Sequence, residues 1–175
     1  GALHKLLSMD EETRAKGVCA FSSGNFAQAL ALASQRTGVR CTIIAPHDAP
    51  AIKMERTRAY GADVVFSTPA VGENREVAAA RLAEQYSIEH GRTLLHPFDD
   101  HDVMRGQGTL ALEVFEQFAE VMRLQSPTSD GVEGRPYISR LLVPTGGGGM
   151  ASGCCLARNE LSAIGRAGSA CLLYT

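Results

Sequence analysis

The sequence predicts an α/β fold of parallel sheets flanked by helices. Three observations carry this reading. Strand-like and helix-like segments alternate with short connections as far as Pro97, which is the pattern of a parallel sheet covered by helices. The strand-like runs are continuously apolar, as strands covered on both faces should be. Two of them run straight into a small-residue turn at the start of a helix.

The elements follow in order. Val18-Cys19-Ala20-Phe21 reads as a short buried strand and Ser22-Ser23-Gly24-Asn25 as the turn after it. Phe26 to Arg36 is rich in Ala and Leu and reads as a helix, which Thr37-Gly38 ends. Cys41-Thr42-Ile43-Ile44 is a second strand, closed by Ala45-Pro46. Pro50 to Tyr60 is a helix ended by Gly61. Val64-Val65-Phe66 is a third strand, Asn74 to Tyr86 a third helix, and Thr93-Leu94-Leu95 a fourth strand ending at His96-Pro97. The pattern then changes. Phe98 to Asp102 reads as a polar loop, with Asp99, Asp100 and Asp102 solvated. A long helix runs from about Gly108 to Leu124, opened by Gly106-Gln107-Gly108-Thr109. Residues 125–135 form a Pro/Ser/Gly/Asp-rich loop, Tyr137 to Val143 a strand, and Met150 to Leu156 the start of another helix.

Composition narrows the function classes. Seventeen basic and nineteen acidic residues give a net charge of -2, with no basic block. Neither nucleic acid nor an anionic membrane is expected as a partner. No apolar run is long enough to span a bilayer. No signal peptide is visible, although the chain opens at Gly1 without a methionine. The five cysteines, Cys19, Cys41, Cys154, Cys155 and Cys171, fit neither zinc nor disulfide spacing. They read as reduced core thiols, which points to a cytoplasmic setting, with an organellar one as the alternative. His47, His90, His96 and His101 show no metal-ligand spacing either, and His96 before Pro97 reads as structural.

Two turns carry chemistry. Ser22-Ser23-Gly24-Asn25 stands where a helix N-terminus offers unpaired N–H groups and partial positive charge. Two hydroxyls and an amide add donors, and Gly24 lets a ligand approach the backbone. A substrate carboxylate suits such a place, at the strand end where open parallel sheets bind ligands. The same residues also suit a plain helix cap. Pro144-Thr145-Gly146-Gly147-Gly148-Gly149 follows the later strand. Four successive glycines are entropically unfavourable, and crowding N–H groups around a phosphate explains them; a flexible hinge is the other reading. Neither the nucleotide P-loop pattern nor the dinucleotide fingerprint is present. A phosphate-bearing cofactor with an amino-acid substrate would use both turns.

Ser22-Ser23-Gly24-Asn25-Phe26-Ala27-Gln28-Ala29 resembles the serine-x-glycine-asparagine loop of the pyridoxal-phosphate-dependent serine/threonine dehydratases and serine racemases. Ala45-Pro46 with Ala49-Pro50 and Lys53, Tyr60 to Val65, His96 to Asp100 and Gly106-Gln107-Gly108-Thr109 add to the resemblance. So does Val143 to Met150, which is similar to that family's glycine loop. The likeness covers roughly residues 1–157 in the expected order. It implies a truncated fold type II (tryptophan synthase beta-like) enzyme with pyridoxal 5'-phosphate as cofactor. Residues 1–16 and 98–163 would belong to a large domain and 17–97 to a small one. Asn25 would contact the cofactor ring hydroxyl. Ser22, Ser23, Gly24 and Asn25 would bind the substrate carboxylate, and Ser23 matches the proton-handling serine of racemases. Gly146, Gly147, Gly148, Gly149 and Met150 would hold the phosphate through their amides.

The implied activity is dehydration and deamination of L-threonine or L-serine to a 2-keto acid and ammonia, by a parent enzyme expected to be a homo-oligomer. Serine racemase is the neighbouring reading, and a non-catalytic anion- or cofactor-binding fragment is the reading from another class. Three departures stand out. The family's Schiff-base lysine lies before the segment matching Gly1-Ala2-Leu3, and neither Lys5 nor Lys16 fits its place. The family's usual histidine after the asparagine is Phe26 here, which bears on substrate preference. The family's last third has no counterpart. The fragment alone is therefore expected not to turn over substrate. Residues 164–175 depart from the resemblance and read as a non-native tail.

Overall fold

The computed structural model describes residues 1–125, 138, 140–163 and 171–174. The chain divides into two compact units, Gly1–Val103 and Met104–Thr175.

The first unit opens with two short helices, α1 (Ala2–Ser8) and α2 (Glu11–Lys16). Asp10 caps α2 by accepting the Thr13 N–H at 2.7 Å, and Gly17 leaves it with φ +78°. Four strands follow: β1 (Val18–Phe21), β2 (Cys41–Pro46), β3 (Asp63–Ser67) and β4 (Thr93–Leu94). All pairings are parallel, and the order across the sheet is β3-β2-β1-β4. The helices between them are α3 (Asn25–Thr37), α4 (Ala51–Ala59) and α5 (Arg75–His90). Gly38 and Gly91 end α3 and α5 in the left-handed conformation, as their positions predict.

Alternation along β1 sorts the core into two layers. Val18 and Ala20 face α1 and α3, packing with Leu6, Leu30 and Ile43. Cys19 and Phe21 face α5, packing with Ile44, Ala79 and Ala83. Both central strands are covered on each face, so every residue of β2 is buried. β3 lies at the edge and is half exposed. Helix α1 belongs to this core through Ala2 and Leu6. The sequence-based small domain begins at residue 17; the compact unit observed begins at Gly1.

The second unit holds most of α6 (His101–Gln125), then β5 (Arg140–Val143), α7 (Gly149–Ala163) and β6 (Cys171–Tyr174), with β6 parallel to β5. Its small core is Ala111, Val143, Ala151, Cys154 and Ala157. Helices α6 and α7 meet glycine to glycine. A Cβ on Gly108 would stand 2.7 Å from the Gly153 carbonyl oxygen, and one on Gly153 would run into the Met104 carbonyl oxygen.

Two expectations need correction. Gly106 to Thr109 do not open the long helix. It begins two turns earlier, where the Asp100 carboxylate accepts the Asp102 and Val103 N–H groups at 2.9 and 3.0 Å, and Gly108 sits inside it for close packing. The Asp100 and Asp102 carboxylates are not solvated: Lys5 Nζ lies 2.8 Å from Asp100 and 3.1 Å from Asp102. Within residues 164–175, Cys171–Tyr174 form β6, in register with Arg140–Val143. Residues 126–137, which make up most of the predicted loop and include Tyr137, lie outside the described residues, as do 164–170.

Candidate functional site

Strand order marks a position before any side chain does. The chain steps from β1 to β2 to β3 in one direction and then returns to place β4 on the other side of β1. In open parallel sheets the crevice at such a reversal, outside the carboxyl ends of the strands, is where ligands bind. The residues leaving those ends are Ser22 to Asn25 after β1 and His96 after β4. Their strands are neighbours, and the Phe21 and His96 rings meet edge to face at 5.2 Å.

The four residues of the first turn differ in what they do. The Ser22 N–H continues the sheet by donating to the Ile44 carbonyl at 3.0 Å. Its Oγ accepts the Gly24 N–H at 3.2 Å and the Ala27 N–H at 3.3 Å, so Ser22 satisfies two amides at the start of α3, whose N-cap residue is Gly24. That leaves the Asn25 and Phe26 N–H groups in the first turn of α3 without an intrahelical acceptor. Ser23 Oγ donates to Glu76 Oε1 at 3.3 Å. A Cβ built on Gly24 would meet nothing within 4 Å, so the space this glycine leaves open lies outside the protein's own packing. Asn25 is exposed, and its amide has no partner among the described residues. Phe26 turns away and packs against the core around Ala27 and Leu30.

His96 is structural, as expected. Its Nδ1 accepts the Phe98 and Asp99 N–H groups at 3.4 and 2.8 Å, which puts the ring proton of the neutral form on Nε2. Its ring is bracketed edge-on by Phe21 and Phe98.

In the second unit the glycine loop joins β5 to α7. The first helical bond runs from the Ser152 N–H to the Gly148 carbonyl at 2.9 Å. The N–H groups of Gly149, Met150 and Ala151 therefore have no intrahelical acceptor. Gly148 has φ +89°, a conformation that L side chains rarely adopt, and Cβ atoms on Gly146 and Gly148 would meet nothing within 4 Å. An exposed loop, one left-handed glycine and a row of free amides make a cradle with the shape and partial charge a phosphate requires.

Four reactive side chains of the first unit are engaged or buried away from this turn. Lys5 is held by two carboxylates, as given above, and Lys16 by Glu12 at 3.0 Å. Burial works against the Lys5 charge, but the hydrogen bonds that its ammonium donates to Asp100 and Asp102, with the attraction of the two carboxylates, together outweigh it and raise its pKa above the usual value. Burial pushes the Cys19 thiol up to about 11 and Cys41 up to about 12, so both are poor nucleophiles. Among the described residues, no helix is long and apolar enough to cross a membrane.

The sequence profile of the family described as "Pyridoxal-phosphate dependent enzyme" matches residues 1–168. The chain belongs to this family. Its glycine loop fits the phosphate of the cofactor that names the family. L-threo-3-hydroxyaspartate ammonia-lyase of Saccharomyces cerevisiae is 39% identical over 162 residues, covering 93% of this chain and 43% of that protein. The Pseudomonas sp protein of the same name is 42% identical over 174 residues, covering 99% and 46%. The structure of maize serine racemase superposes with a TM-score of 0.76 at 31% identity, covering 99% of this chain and 44% of that one. The chain thus spans under half the length of the relatives it matches. Its fold is that of the fold type II pyridoxal-phosphate enzymes. The family match reaches past residue 157, where the resemblance by motif ends.

What sequence reasoning missed at the site is Glu76. It lies 53 residues from Ser23 in the chain. The only local signal was Asn74, whose side chain caps α5 and fixes where Glu76 stands.

Proposed function

We propose that the whole protein containing this chain is a pyridoxal-phosphate-dependent ammonia-lyase for β-hydroxy-α-amino acids, with L-threonine, L-serine and L-threo-3-hydroxyaspartate as the substrates to try. One observation carries the reading: each of two helix N-termini, α3 and α7, presents free amide donors behind a glycine whose missing side chain leaves open space. The first is framed by hydroxyls and an amide, which suits a carboxylate. The second is framed by backbone alone, which suits a phosphate.

In this reading the Ser22 hydroxyl and the Asn25 and Phe26 amides bind the substrate carboxylate. Asn25 also presents its free side-chain amide to the cofactor ring. The amides of Gly146 to Met150 hold the phosphate. When bound, the cofactor supplies an electron sink for the charge left at the α-carbon when its proton is removed. Ser23 is the group of this chain placed to hold or receive a proton. Lys5 and Lys16 are committed to carboxylates and take no part. The names of the relatives support the general chemistry, and the Phe26 position bears on which substrate is preferred.

Serine racemase is the second reading, favoured by the Ser23–Glu76 contact, which gives the site a second proton-handling group. The full-length protein, purified with pyridoxal phosphate, decides between the two. Keto acid and ammonia from one of the three amino acids establish the lyase, and D-serine from L-serine establishes the racemase. Neither product, together with no bound cofactor, reduces the chain to an anion-binding relative.

A further inference from the structure

The two adjacent serines of the first turn have opposite hydrogen-bonding polarity. Ser22 Oγ accepts two backbone N–H groups, and no bond among the described residues uses its proton. Toward a ligand it can only donate. Ser23 has one proton and points it at the Glu76 carboxylate, 3.3 Å away. Toward a ligand it offers lone pairs. A hydroxyl has one donor and two acceptor sites, so these contacts fix which function each serine presents.

We propose that Glu76 is a positioning residue that takes the Ser23 hydroxyl proton. Ser23 thereby becomes the proton-accepting partner of the site and leaves carboxylate recognition to Ser22. This inference rests on the proposed function and sharpens it, since the family resemblance by itself assigned both serines to the carboxylate. The proton count closes. A proton arriving at Ser23 Oγ from the substrate α-carbon displaces the hydroxyl's own proton onto Glu76, turning Ser–OH and carboxylate into Ser–OH and carboxylic acid.

Glu76 is well placed for this. It stands in the first turn of α5, with its N–H accepted by Asn74 Oδ1 at 2.8 Å. Its Oε1 lies 3.4 Å from Arg75 Nε, and Arg75 reaches on to Asp48 at 2.6 Å. The contact is exposed, so it adds little to stability, and its consequence is orientation.

The test uses the full-length protein in two assays. The first needs no cofactor. In the Ser23→Cys variant, the rate of iodoacetamide alkylation of the introduced thiol is followed against pH by peptide mass spectrometry. A carboxylate beside a thiol opposes its ionisation, so alkylation near pH 8 should speed up about tenfold when Glu76→Gln is added. An unchanged profile overturns the pairing. The second assay is turnover by the cofactor-loaded enzyme. Glu76→Gln should lower kcat about tenfold with KM unchanged, because Ser22 still donates to the carboxylate. A raised KM with unchanged kcat overturns the division of roles. Failure of the parent protein to bind pyridoxal phosphate would sink the functional reading, while the alkylation result would still decide the Ser23–Glu76 pair.

Discussion

The two candidate loops follow the same plan, a strand running into a helix through a glycine, yet they offer their hydrogen-bond donors in different ways. The turn at Ser22 to Asn25 works with side chains, and each is already oriented by a partner or left free. The loop at Gly146 to Met150 works with backbone and has almost no side chain to orient. The first should therefore respond to changes of chemistry, and the second to any added Cβ or altered backbone angle. Their settings differ too. The first sits on a sheet whose central strands are buried throughout except at Phe21. The second sits on a small core beside Leu142, which is 66% exposed.

The largest effect should come from beneath the backbone loop. Gly153 lies one turn along α7, where an added Cβ would stand 2.7 Å from the Gly108 nitrogen of α6. A valine there forces the helices apart. We expect Gly153→Val to destabilise the second unit by about 3 kcal/mol, read as a lower urea midpoint for that unit. Unchanged unfolding would mean that the glycine contact does not hold the loop's scaffold.

Next is Gly148→Ala. With φ at +89°, an L residue there should cost about 1–2 kcal/mol. The loop should also lose its shape, so inorganic phosphate binding measured by calorimetry should fall. If phosphate binds the variant as well as the parent, the cradle reading is wrong.

Much of this was legible in the sequence, and what was not shares one physical cause. The strands at 18–21, 41–46 and 63–67 and the helices between them follow from apolar runs, propensity and glycine stops, all local signals. Both loops were visible because glycine and serine after an apolar strand are local too. The start of α6 was misplaced because its cap, Asp100, reads as one more acid in a polar run. Its partner Lys5 is 95 residues earlier, and nothing local announces the pair. Helices α1 and α2 passed unread because six or seven residues show little periodicity, although Asp10 with Thr13 and then Gly17 signal a start and a stop. Ser23 was found and Glu76 was not, for the same reason as Lys5.

That long-range pair makes a pH prediction. Burial is the largest single influence on Asp100 and opposes its charge, but the Lys5 hydrogen bond, the Val103 and Asp102 N–H groups and the Lys5 charge together outweigh it and hold the carboxyl below its ordinary 3.8. A lowered folded-state value gives stability that is present above pH 3.8 and lost as the pH falls through the folded value. Lys5 is raised above 10.5, so its share is present below pH 10.5 and lost as the pH rises through the folded value. Asp100→Asn keeps a capping side chain and removes the ion pair. It should cost about 1 kcal/mol at neutral pH and flatten the acid side of the stability profile. A variant with the parent's acid limb would show that the pair contributes nothing.

The smallest expected effect on stability separates the two loops most cleanly. Gly24 has φ −137°, outside the left-handed region, and a Cβ there meets no protein atom within 4 Å. Gly24→Ala should therefore change folding stability by less than about 1 kcal/mol, the weaker capping of alanine being the main term. Yet the new methyl would fill part of the open space at the start of α3. In the full-length protein KM should rise sharply while thermal unfolding barely moves. Gly148→Ala, by contrast, should move both. If Gly24→Ala unfolds the protein, the glycine is there for the turn; if it leaves KM untouched, the carboxylate binds elsewhere. Only a stable protein that has lost its grip on the substrate fits a glycine kept for a ligand.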